Sequence, residues 1–286
     1  MQTTTALNAP FDIRPMTGRD LPAATELSQE QQWPHRIEDW QLFLELGEGL
    51  VAERAGKLIG TILAWRYGED MATIGMVIVS PAAPGQGIGR KLMEGIVSRL
   101  GNRTIVLNAT EEGLPLYRKL DFVETGVIIQ HQGIARDVPL AELLRGDRIR
   151  PKGKADTNLA AIYSAANGMD RQELFKSLSD NGRTVVYTRD NVPIGFAMLR
   201  RFGSGWSVAP VVAPDAASAK ALILHWLAVK QGSFCRIDID AESGLGDWLE
   251  SLGLACVGSV RTMARGPAPT SGTQAKVFAI AAQALG

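Results

Sequence analysis

"VIVSPAAPGQGIGRKLMEGIV", Val77 to Val97, is the stretch from which the rest of the sequence can be read. A β-branched run stops at Pro81, which cannot donate to a sheet ladder. Gly85, Gly87 and Gly89 then alternate, and a run carrying Arg90 and Lys91 follows. Apolar residues at Leu92, Ile96, Val97 and Leu100 recur at helical spacing. The stretch therefore predicts strand, turn and helix. Main-chain N–H groups from Gly85 to Arg90 can wrap an anion, because small residues let the backbone approach closely. A helix starting near Gly87 adds partial positive charge, and Arg90 and Lys91 add counter-charge. A pyrophosphate suits such a turn; a glycine-rich connection with no ligand is the plainer alternative.

Two nucleotide motifs fail on local chemistry. A dinucleotide fingerprint needs G-x-G-x-x-G, and Gly85, Gly87 and Gly89 have the wrong spacing. Leu107 and Asn108 stand where an acidic ribose-binding residue is needed. A P-loop needs a glycine before its lysine and a hydroxyl after it, and Lys91 has neither.

The chain also repeats itself. Ile13-Arg14-Pro15 returns as Ile149-Arg150-Pro151. "GLVAERAGKLIGTILAWR" parallels "RTVVYTRDNVPIGFAMLR", aligning Gly60 with Gly195. "VIVSPAAPG" parallels "PVVAPDAAS", and "TIVLNATEEGLPLYRKLDF" parallels "CRIDIDAESGLGDWLESLGL". Matches in one order across the chain predict tandem homologous domains. Each repeat reads as a short strand, an amphipathic region (Leu21 to Leu46 in the first), a hairpin, an apolar strand, a helix, a strand, a short helix and a last strand. Strand–helix–strand implies a parallel pair within a sheet otherwise made of hairpins. The expected division is residues 1–143, 144–266, and a linker with a closing helix over 267–286.

Composition bounds the function. The 286 residues hold 30 Lys plus Arg against 30 Asp plus Glu, which argues against a strongly basic nucleic-acid binder. No apolar run suggests a membrane span, and the N-terminus lacks a basic segment followed by an apolar core. Two cysteines, Cys235 and Cys256, make no disulfide framework, and no His/Cys spacing suggests a metal site. A cytoplasmic protein without a metal, nucleic-acid or membrane partner is expected.

With these residues in view, the sequence resembles the GNAT N-acetyltransferases. That family's fourth strand leads into a Q/R-x-x-G-x-G/A turn that holds the pyrophosphate of acetyl-CoA. Pro84-Gly85-Gln86-Gly87-Ile88-Gly89 matches both glycines, while Pro84 replaces the first residue and removes a donor. "LYRKLDF", Leu116 to Phe122, resembles a second signature, with Asp121 in place of its glycine. The resemblance implies an α/β fold with tandem GNAT-like domains, each a mixed, mostly antiparallel sheet flanked by helices. It implies acetyl-CoA as cofactor and direct transfer to a small-molecule primary amine. Met76, Val77 and Val79 would meet the pantetheine arm through backbone groups, and Gly85, Gln86, Gly87, Ile88, Gly89 and Arg90 the pyrophosphate.

Tyr117 is the expected acid for the leaving thiolate, since a phenol is protonated at neutral pH. Asn108 could orient the thioester or cap a turn. Trp33, His35, Glu53 and His131 are candidates for the acceptor pocket; packing roles are the plainer reading of the aromatic and histidine residues. The second repeat reads "PDAASAKAL" at the turn and has Leu249 opposite Tyr117, so it is expected to be degenerate. A non-catalytic acyl-CoA-binding sensor is the alternative function.

Overall fold

The computed structural model describes residues 10–272 and 274–286. The first nine residues, on which part of the N-terminal reading rests, and Thr273 of the linker lie outside the described residues. The chain forms two compact units, one up to Ile105 and one from Val106.

In the first unit, β1 (Asp12–Pro15), β2 (Glu48–Arg54), β3 (Lys57–Tyr67) and β4 (Met71–Val79) pair antiparallel in that order. The region from Leu21 to Leu46 is two helices, α1 (Leu21–Glu30) and α2 (Ile37–Leu46), with Gln32 left-handed between them. Their apolar faces bury Leu27, Trp40 and Phe43, and the Trp40 indole N–H donates to Ser28 Oγ at 3.2 Å. α3 (Ile88–Leu100) buries Leu92, Ile96 and Leu100 of the expected stripe together with Ile88 and Met93, while Val97 is half-buried. A Cβ on Gly60 would stand 3.0 Å from the Ile88 side chain and 3.1 Å from that of Leu92, so this glycine lets α3 settle on β3.

The second unit contains most of β5 (Thr104–Ala109), then α4 (Leu114–Arg118) and β6 (Val123–Ile134). The second repeat follows: β7 (Asp147–Pro151), α5 (Leu159–Asn167), α6 (Gln172–Asp180), β8 (Arg183–Arg189), β9 (Val192–Phe202), β10 (Gly205–Ala213), α7 (Ala216–Val229), β11 (Phe234–Asp240), α8 (Gly246–Ser251) and β12 (Leu254–Arg265). A last strand, β13, spans Lys276–Ala279. The strand order in this unit is β5-β12-β6-β11-β13-β10-β9-β8-β7. β10 and β11 run parallel through α7, as the strand–helix–strand reading requires.

The sequence repeat and the compact units divide the chain at different places. β6 comes from the first repeat, yet it is hydrogen-bonded between β11 and β12 of the second, with His131 opposite both Ile237 and Cys256. These long-range pairings draw the end of the first repeat into the second unit.

The C-terminal segment corrects the sequence reading, because "KVFA" is a strand and not the start of a closing helix. β10 and β11 pair only at Trp206–Cys235 and Ser207–Arg236. β13 then enters between them, pairing Val211 with Ala279 and Val212 with Val277 on one side and Ile239 with Ala279 on the other. Two diverging strand edges present N–H and C=O groups that need partners, and an extended chain satisfies both edges where a helix cannot. The tail beyond β13 is buried at Ala281, Ala282 and Leu285. Arg200 donates to the Ala281 carbonyl at 2.6 Å and Arg171, fully buried, to that of Leu285 at 2.8 Å.

The repeated Ile-Arg-Pro has a physical cause in each unit. Arg14 forks onto Asp20 at 2.9 and 2.7 Å, and Arg150 forks onto Asp156 at 2.7 Å through both nitrogens. The same carboxylates accept backbone N–H groups of Thr17 and Gly153, at 2.8 and 2.7 Å. Each lock ties the first strand to the following turn. Hydrogen bonding from Arg150 holds the Asp156 carboxyl down at about 2. A carboxylate whose pKa is lowered by folding stabilises the fold above its unfolded value, near 3.8, and loses that contribution as pH falls through the folded one. Stability should therefore drop between about pH 4 and pH 2. Urea unfolding across that range should show Asp156→Asn less stable at pH 7 and with a shallower slope.

Candidate functional site

In the first unit, β4 carries an extra residue against β3: Leu63 pairs with Gly75, but Thr61 pairs with Ile78. Met76 sits in the bulge with φ 53°, and the Thr61 hydroxyl donates to its carbonyl at 2.8 Å. A bulge turns main-chain groups off the ladder. Met76 and Ile78 are buried, while Gly75, Val77 and Val79 are only partly so. The Gln31 amide reaches the Val79 carbonyl at 3.4 Å.

After β4 the chain turns at Ser80 and runs into the glycines. Gly85 and Gly87 both have positive φ, 68° and 73°, which is costly for residues with a Cβ. Nothing lies within 4 Å of where a Cβ on either would stand, so the turn faces open space. Gly87 is the N-cap of α3 and offers no side chain to its first N–H groups. Those donors, from Ile88, Gly89 and Arg90, are the ones an anion can satisfy. Gln86 accepts a short hydrogen bond from Arg54, which braces the turn from β2. Lys91 stands 4.6 Å above the Phe11 ring, and Arg90 pairs with Glu94 at 2.7 Å.

The acceptor candidates of this unit part company. Trp33, His35, Phe43 and Trp65 form a chain of edge-on rings, with centroids 6.0, 6.0 and 5.7 Å apart. Glu53 belongs elsewhere: its carboxylate takes two hydrogen bonds from Arg14, at 2.8 and 2.6 Å, within the Arg14–Asp20 lock. The structure thus places Glu53, expected in the pocket, in an ion pair with Arg14.

Tyr117, Asn108 and His131 belong to the second unit. Tyr117, on α4, is 7% exposed and packs edge-on against Phe122 at 6.1 Å. Burial pushes its phenol up to about 12, so it stays protonated well past neutral pH. A Cβ on Gly113 would lie 2.7 Å from the Tyr117 ring, so that glycine makes room for the tyrosine. Asp121 takes the left-handed conformation, φ 64°, at the position where the family has glycine. Asn108 is committed on both ends: its amide donates to the Gln283 carbonyl and accepts from the Thr262 hydroxyl, each at 2.8 Å. His131 is 1% exposed, and burial lowers its pKa, favouring the neutral ring.

The second repeat has the same framework with its openings filled. β10 carries an extra residue against β9 between Val208 and Val211, as β4 does against β3. Past that irregularity its edge is taken by β13. At the following helix, Asp215 caps α7 with its own side chain, accepting from the Ser218 N–H at 2.7 Å. On β11, Asp238 is held by Arg236 at 2.9 and 2.7 Å, and the Asp240 carboxylate accepts from the Glu242 N–H at 2.7 Å.

Sequence reasoning missed Arg54, Thr61 and Gly113. The contacts that define them come from folding, and only Gly113, directly before the short helix, left a local sign. No helix among the described residues is long and apolar enough to cross a membrane.

Comparison with known proteins shows the family. Models of the acetyltransferase (GNAT) domain match residues 18–139 and 160–279. The uncharacterized N-acetyltransferase YitH of Bacillus subtilis is 29% identical over 70% of this chain and 71% of its own length. Holothin acyltransferase of a Pseudoalteromonas species is 25% identical, over 96% of this chain and 94% of that protein. The fold matches a putative acetyltransferase from Pyrococcus horikoshii with a TM-score of 0.81, at 21% identity and 96% coverage of both chains. With family domains matched over both repeats and relatives named as acyltransferases, the chain is an acyltransferase belonging to the GNAT family, with two GNAT domains in tandem.

Proposed function

We propose that the chain transfers an acetyl group from acetyl-CoA to a primary amine of a small molecule, directly within a ternary complex, and that the first repeat alone holds the acyl donor. One observation carries this reading: α3 begins on Gly87 with no side-chain cap, whereas α7 begins on the cap of Asp215. The first helix N-terminus suits a pyrophosphate, and the second has a carboxylate of its own in that seat. The relative named as an N-acetyltransferase supports the reaction class.

When bound, acetyl-CoA supplies an activated acyl thioester. The amides from Gly85 to Arg90 would hold its pyrophosphate, and backbone groups of Met76, Val77 and Val79 its pantetheine arm. The bulge at Met76 turns main-chain groups off the ladder, and an N–H at Met76 or Val77 would stabilise developing charge on the thioester oxygen. Trp33 and His35 would contribute an aromatic wall for the acceptor.

A phenol at about 12 is a weaker acid than a thiol, whose usual value is about 8.5. Tyr117 therefore acts by donating a hydrogen bond to the departing sulfur as charge builds on it. The proton that finally rests on the thiol is balanced by the one the amine loses. Arg14 already occupies Glu53, so no side-chain base is assigned; the amine arrives neutral and sheds its proton to water.

Calorimetry with acetyl-CoA should give one site per chain, and two equal sites would overturn the assignment to the first repeat. Gly87→Val, which forces a β-branched residue to φ 73°, should weaken that binding about ten-fold through about 1–2 kcal/mol of strain. Asp215→Ala should leave it unchanged.

Tyr117→Phe should lower kcat about 10²-fold while acetyl-CoA affinity is kept. Unchanged turnover would exclude Tyr117 from the reaction. Because the phenol stays protonated, the wild-type pH–rate profile should show no Tyr117-dependent loss up to pH 10. Gly113→Ala, by displacing the ring, should lower kcat without changing the acetyl-CoA dissociation constant.

A further inference from the structure

The second unit brings together three side chains that the reaction does not use. A ring nitrogen of His131, a carboxylate oxygen of Glu250 and the Sγ of Cys256 all lie within 4.8 Å of one another. They come from three elements: β6, α8 and β12. His131 and Cys256 are directly opposite on paired antiparallel strands, so their side chains share one face. The register shifts immediately beyond Cys256, between it and Gly258, a device that re-aims a side chain. Glu250 lies near the end of α8, just before the chain turns into β12. At the other end of that helix, even a Cβ on Gly246 would stay 3.8 Å from the His131 ring, so the helix leaves the imidazole uncrowded.

A second observation points to a ligand. His131 is 1% exposed, and its Nδ1 is buried and makes no well-formed hydrogen bond, with the Ile129 backbone standing beside the ring. A buried polar atom left unpaired is costly, and such exceptions call for an explanation. The neighbouring carboxylate on β11, Asp238, is taken by Arg236 at 2.9 and 2.7 Å and is not available to the ring.

We infer that His131, Glu250 and Cys256 form a binding site for a divalent transition-metal ion of the zinc class. Imidazole, carboxylate and thiolate together suit a borderline ion and not the oxygen-seeking Mg²⁺ or Ca²⁺. Ligand bonds of about 2.0–2.3 Å need the three atoms slightly closer together than they stand. Glu250 and Cys256 are exposed and free to close that gap. Binding releases the Cys256 thiol proton to solvent, and a water completes the fourth position. The ion would clip β6, which belongs to the first sequence repeat, to α8 and β12 of the second. No spacing in the sequence announces the site, because its ligands come from two strands paired across the repeat and from a helix.

Cobalt titration of the metal-free, tag-free full chain tests this. A thiolate-to-cobalt charge-transfer band in the near ultraviolet should appear and saturate at one ion per chain. Cys256→Ser should abolish the band, and Cys235→Ser, at the buried cysteine, should keep it. Glu250→Gln should weaken binding at least about ten-fold. Zinc should raise the melting temperature of the wild type and not that of Cys256→Ser. No band in the wild type, a band surviving in Cys256→Ser, or equal zinc stabilisation of both proteins would overturn the assignment. Cys256 is exposed, so its serine variant is expected to fold, and circular dichroism checks this.

Discussion

The first N–H groups of a helix have no partner within the helix and must find one. The two repeats of this protein meet that need in opposite ways. α3 starts on a bare glycine in open space, with Gly85 and Gly87 held left-handed. α7 starts on Asp215, which satisfies its donor from within. An anion can compete for the first set of donors. At the second it would meet a carboxylate already in place. The difference between the two helix starts follows from this one constraint.

The same rule governs the strands. A strand that bulges or diverges leaves main-chain groups in search of partners. In the second repeat, β10 and β11 separate after two paired positions, and the chain's own β13 closes the gap. The tail beyond it is then fixed by the buried guanidinium of Arg171 and by Arg200 and Asn108. The second repeat has become a filled framework, with no Tyr117 counterpart and with its backbone edge occupied from within.

Much of this was legible in the residues. The glycine turn was readable because small residues let the backbone approach an anion closely. α3 followed from the spacing of its apolar side chains, and the tandem arrangement from Ile-Arg-Pro and its companions. The Arg–Asp locks show why that motif recurs: each arginine reaches an aspartate six residues on and holds a turn. Asp215 could be seen as a charge, though not as a cap. The ion pair of Glu53 was not legible because its partner, Arg14, meets it across paired strands. β13 was misread as helix because alanine-rich composition favours helix locally, while the unpaired edges of β10 and β11 decide otherwise.

The sequence by itself determined the local elements, the glycine turn, the short tyrosine helix and the duplication, because each depends on neighbours close along the chain. Only the tertiary structure decided what fills the second cleft, which carboxylates are committed to arginines, and which residues crowd Tyr117. It also decided that His131, Glu250 and Cys256 meet. These features depend on strand pairing between distant segments, and no local propensity or spacing encodes that pairing.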